Sequence, residues 1–170
     1  GLRFVVFTDH GDGTAEPSPP VYRRGVLCLD GVEISTAGGH YLAIDIPAAP
    51  YPLGGEARDV MEDVHRLGGF GVVAHPDSPK DELRWREWSP AFDAIELINL
   101  DSGWRARVRE PGWRSKFSIV EALATYPFRP AETIAGLLGE STVALARWES
   151  LTRRRRIVAL GGVDAHAKLA

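Results

Sequence analysis

"GGEARDVMEDVHRLGGFGVVAHPDSP" spans residues 54–79 and changes its hydrophobic period halfway along. Ala57, Val60, Met61, Val64 and Leu67 recur at i, i+3, i+4, i+7 and i+10, the spacing that lines one face of a helix. Gly68 closes that helix, since glycine takes the left-handed conformation that ends one at little steric cost. From Gly71 to Ala74 the helical spacing gives way to a short apolar run, a strand, which stops at His75 and Pro76. A helix feeding a strand that ends in a polar loop is the repeating unit of α/β proteins, whose strands run mostly parallel and whose function sits in the loops after the strands.

Working outward, the same apolar pattern predicts strands over Arg3–Phe7, Gly25–Ile34, Tyr41–Ile46, Ala94–Ile98 and Ile157–Leu160. Helices are predicted from about Ser115 to Thr125, from Pro130 toward Leu138 with the proline in its first turn, and from Thr142 to about Leu151. The proline-rich "EPSPP" (16–20) and "PAAPYP" (47–52) are short and flanked by strands, so they read as surface loops. A single domain over 1–170 is expected: 170 residues, 44% hydrophobic, suffice for one core.

The net charge of −3 gives no general reason to expect nucleic acid or an anionic membrane as partner. Cys28, the only cysteine, has no partner for an internal disulfide and reads as a small buried hydrophobe. No apolar run approaches the ~18 residues that span a bilayer. The chain starts at Gly1 without Met, just before a strand, and reads as a fragment. A soluble domain, cytoplasmic by default, is expected, with any export signal lying upstream.

The strand ends carry the chemistry. "FVVFTDH" ends at His10, "LDGVEIST" sets Glu33 in an apolar strand, "GGHYLAI" starts one with His40, "GVVAHPDSP" brings His75, and "VALGGVDAH" supplies Asp164 and His166. Each alone is a weak signal, because a lone histidine beside a proline is commonly an ordinary loop residue. Glu33 is sharper: a carboxylate in an apolar strand is costly unless it meets a metal ion or, more plainly, an arginine. Together, imidazoles and carboxylates suit zinc, iron or manganese. His65 lies off the apolar stripe and is expected to be solvated, while Asp12 and Asp77 sit in turns where aspartate is normally structural. Asp9, adjoining His10, is expected to orient the loop.

"FTDHGDGT", "DGVEISTAGGHYL", "GGFGVVAHPDSP" and "GGVDAH", in this order, resemble the PHP family of metal-dependent hydrolases, named for polymerase and histidinol phosphatase. The resemblance implies a distorted (β/α)7 TIM-like barrel, here incomplete at its N-terminus, with two or three divalent ions (Zn, Mn or Fe) at the C-terminal ends of the strands. It implies Glu33, His40 and His75 on one ion, Glu33 and Asp164 on a second, and His10 with His166 on a third. Alternatively, His10 or His166 is the catalytic acid that protonates the leaving group, a role imidazole suits near neutral pH. The family's opening His-x-His pair is missing, which fits a chain cut before its first strand.

The implied activity is hydrolysis of a small-molecule phosphate ester by a metal-activated hydroxide. Carbamate or amide hydrolysis at the same site and a catalytically silent metal-binding module are the alternatives. In "DSGWRARVREPGWRSK", Arg105 and Arg107 would bind the phosphate, or lie in a solvated loop. "RRRR" (153–156) decorates a helix C-terminus, where cations are favoured; a nucleic-acid role for it is not favoured.

Overall fold

The computed structural model describes residues 1–109, 111–137 and 142–164. Along the chain run β1 (Phe4–His10), β2 (Val21–Arg23), β3 (Val26–Thr36), β4 (Gly39–Ile44), α1 (Ala57–Arg66), β5 (Phe70–Val73), β6 (Ala94–Asn99), α2 (Leu100–Arg109), α3 (Trp113–Thr125), α4 (Pro130–Leu137), α5 (Thr142–Thr152) and β7 (Val158–Gly162). The strands form one sheet in the order β1-β3-β4-β5-β6-β7, with β2 pairing β3.

This is a mixed, half-barrel sheet and corrects the expected (β/α)7 TIM-like barrel. The reason is local. Only Ala37 and Gly38 separate β3 from β4, and a link that short closes a hairpin, so β4 runs antiparallel to β3 and in turn to β5. β1 pairs parallel with β3 across a connection that holds β2 where a barrel would have a helix, and four helices crowd between β6 and β7. The alternation of one strand with one helix that closes a barrel is therefore absent among the described residues, and β1 and β7 remain at the two ends of the sheet.

The helix at 57–67 forms as its spacing predicts. Ala57, Val60, Met61 and Val64 are each no more than 3% exposed, packed against β4 and β5. Gly68 follows the C-cap at φ 82°, and the amides of Gly68 and Gly69 bond the carbonyls of His65 and Val64. Ile34, Tyr41, Val73 and Ile95 fill the core from the sheet side, each at 0–1% exposure. Two elements were not among those expected, β2 and α2. The α2 segment carries Gly103 in its interior and an apolar row, Leu100, Trp104 and Val108, whose last two members stay exposed; Asn99 caps it by accepting the Ser102 amide at 2.9 Å. Cys28 is only partly buried. Arg155 of the basic run is fixed to the carbonyls of Phe92 and Pro90 at 3.1 and 3.3 Å, a structural clamp.

Replacing Met61, 1% exposed, with Ala should lower the unfolding free energy by about 2–5 kcal/mol in urea denaturation, because it opens a cavity between α1 and the sheet. His65→Ala on the exposed face of the same helix should change it by no more than about 0.5 kcal/mol.

Candidate metal centre

Because β1, β3, β5, β6 and β7 run in one direction, their C-terminal ends share a rim, and antiparallel β4 contributes its N-terminal end to that same rim. Register then decides which side chains meet. His10 pairs with Glu33 across β1 and β3, and Ser35 pairs with His40 across β3 and β4. Residues two apart on a strand share a face, so His10, Glu33 and His40 rise from the same side of the sheet. One ligand atom from each of the three lies within 4.8 Å of the others, a set that could hold a metal ion.

Glu33 is the centre of this geometry. Its Oε1 lies 2.5 Å from His40 Nδ1 and 3.1 Å from His75 Nε2. No arginine reaches it among the described residues; the imidazoles are its partners. Burial favours the protonated carboxyl, but hydrogen bonds from His40 and His75 and the charges they bring outweigh it and hold the group down to about 2. For His75 burial opposes the charged ring, while the bond to Glu33 and the nearby carboxylates raise its pKa overall. His40 Nε2 faces Ser35 Oγ at 3.3 Å, and the His40 ring stands 5.3 Å from that of His10 and 5.1 Å from that of His75.

The donor set fits a divalent ion on two observations. Three ligand atoms of borderline and hard character converge on a rim where one of them, His10, is exposed. His75, only 4% exposed, keeps its Nδ1 without a hydrogen-bond partner among the described residues, whereas a buried polar atom normally has one.

The remaining expected residues fall as follows. His75 joins the cluster through Glu33. Asp164 follows β7 at φ 49°, and its charge acts on His75, Glu96 and Arg105. His166 lies outside the described residues. Arg105 sits on α2 and spends its Nε on Asp101 Oδ2 at 2.5 Å; the side chain of Arg107 lies outside what is described. His65 is exposed on α1. Asp12 binds the amide and hydroxyl of Thr14, and Asp77 Oδ2 accepts the Ala144 amide at 2.8 Å, both structural. Asp9 and His10 open onto a cleft of about 230 Å³ whose lining includes Asp12, Glu16, Asp30 and Asp45.

Sequence reasoning missed Glu96 and Asn99. Glu96, 9% exposed on β6, accepts the His75 main-chain amide at 2.7 Å and the Asn99 side chain at 3.0 Å. The signal was present: a glutamate inside the apolar run "AIELIN" is the pattern that singled out Glu33.

No family model matches the chain, and no curated protein matches it in sequence. Among solved structures it is similar to endonuclease Q, in a crystal structure with a 27-mer duplex substrate bearing an abasic lesion at the active site. The identity is 18% and the TM-score 0.39, over 59% of this chain and 35% of that one. The chain thus spans about a third of that protein, and at this level of superposition neither activity nor substrate carries across.

Titrating metal-free protein with Mn²⁺ or Zn²⁺ in competition with a chromogenic chelator should reveal a site that Glu33→Gln weakens at least about tenfold, a loss of about 1.4 kcal/mol. Glutamine keeps the volume and removes the anionic ligand. His65→Ala should bind as the unaltered protein does.

Proposed function

We propose that the chain is a metal-dependent hydrolase of the PHP type and that its substrate is a phosphate ester. The observation that carries this reading is the convergence of His10, Glu33 and His40 on one face of the sheet rim. The order of the four motifs supports it, since each places a candidate ligand at that rim. His10, Glu33 and His40 would hold the ion, with His75 bonded to the same carboxylate, and Asp164 and His166 complete the set that the PHP resemblance implies. A divalent ion bound there would supply Lewis acidity, which lowers the pKa of a water toward neutrality and offsets charge on the leaving oxygen.

The chain's own groups prepare that chemistry. Glu33 is anionic throughout the neutral range, so it needs no deprotonation before serving as a ligand. His10, the exposed member of the set, would keep the ion within reach of a substrate. Arg105, oriented by Asp101, offers its remaining guanidinium donors to a phosphate at the edge of the rim.

One observation favours a second reading, hydrolysis of a neutral carbamate or amide. Of the cluster only His10 borders the neighbouring cleft, whose lining includes Asp9, Asp12, Glu16, Asp30 and Asp45 and, among the described residues, no Lys or Arg, a surface that repels an anion approaching His10 from that side.

Assay of the Mn²⁺- or Zn²⁺-loaded protein against phosphate mono- and diesters and neutral carbamates and amides separates the two. Phosphate release that EDTA and Glu33→Gln abolish, and whose KM Arg105→Ala raises roughly tenfold, is the expected result. Carbamate or amide turnover with no phosphate release would establish the second reading. Metal binding with no turnover of any probe would contradict both.

A further inference from the structure

We propose that Glu96 is the positioning residue that aims His75 into the metal centre, and that position 162 is glycine because the Glu96 carboxylate occupies the space a side chain there would need. The inference rests on the metal-centre reading and concerns a carboxylate that is not one of its candidate ligands.

His75 has to be held. Its φ is 26°, an uncommon value for a residue with a Cβ, and Pro76 restricts it further by disfavouring the helical region for the residue before it. Such conformations cost on the order of 1–3 kcal/mol and persist only where neighbours impose them. Two hydrogen bonds do so here: the His75 amide donates to Glu96 Oε2 at 2.7 Å, and its carbonyl accepts the Ser78 amide at 2.9 Å. With the backbone pinned, Nε2 of the imidazole is delivered 3.1 Å from Glu33 Oε1.

Glu96 is itself fixed from two sides. Asn99 Nδ2 donates to the same Oε2 at 3.0 Å, while Asn99 Oδ1 caps α2 through the Ser102 amide, so the start of that helix orients the carboxylate. On the other side Oε1 projects over β7, where a Cβ on Gly162 would stand 1.6 Å from it. That distance is far inside contact, so any side chain at 162 must drive Glu96 off its seat. A buried carboxylate is retained in a strand only when its oxygens are occupied, and here neutral N–H donors occupy one of them. Glu96 therefore acts on the centre through the main chain of His75, without touching substrate.

The test combines two readouts on the full chain. In metal-free protein, exchange of the His75 amide proton followed by NMR reports the Glu96 bond directly; Mn²⁺ or Zn²⁺ affinity reports its consequence. Glu96→Ala should speed that exchange at least about tenfold and weaken metal binding by a similar factor, and Glu96→Gln, which keeps an acceptor oxygen, should recover most of both. Gly162→Ala should reproduce the Glu96→Ala defect while leaving the carboxylate in the sequence, and so keeps the proposal testable if Glu96→Ala does not fold. In the double variant the two changes should not add, as expected of one coupled contact. Unchanged His75 exchange and metal affinity in Glu96→Ala, or additive defects in the double variant, would overturn the proposal. If the unaltered protein binds neither metal, the metal-centre reading fails, while the exchange measurement still decides whether Glu96 holds His75.

Discussion

A single carboxylate oxygen, Oε1 of Glu33, organises the rim of this sheet. Two imidazoles, His40 from β4 and His75 from the loop after β5, reach it at 2.5 and 3.1 Å, and a third histidine stands beside it in register on β1. In an apolar strand a carboxylate would be expensive to bury alone, and the histidines that offset that cost are the groups that make the cluster chemically useful. Stability and function are thus coupled at one atom. The same coupling recurs three strands away, on β6, where Glu96 is held by the main chain of His75 and by Asn99.

Strand direction is the second constraint. Were β4 parallel to its neighbours, its N-terminal end, and His40 with it, would lie at the far side of the sheet from Glu33. The two-residue link from Thr36 to Gly39 reverses the chain and returns His40 to the rim two residues along the ladder from Glu33. The departure from a regular (β/α)7 barrel is what completes the cluster.

Much of this was legible in the residues. The helix at 57–67 and the strands ending near His10 and His75 follow from period and punctuation, and Glu33 announces itself as a charge in an apolar run. The polarity of β4 was legible too: "GGHYLAI" begins its strand with the polar residue where the others end with one, which is what an antiparallel member of the same rim requires. Other features had no local signature. β2 is three residues long, the apolar row of α2 is short, interrupted by Gly103 and largely exposed, and the seat of Glu96 over Gly162 depends on the packing of β6 beside β7. Such features are set by tertiary contact, which period alone does not encode.

The central claim is that Glu33 Oε1 and the facing imidazole nitrogens are ligands, beyond being partners in a hydrogen-bonded cluster. The direct measurement is a crystal structure of protein soaked in Mn²⁺ or Zn²⁺, with anomalous scattering to place the ion. The account predicts an anomalous peak about 2.0–2.2 Å from Glu33 Oε1 and from a ring nitrogen of each of His10 and His40. An ion seated instead among the carboxylates of the neighbouring cleft, with Glu33 still hydrogen-bonded to His40 and His75, would contradict it.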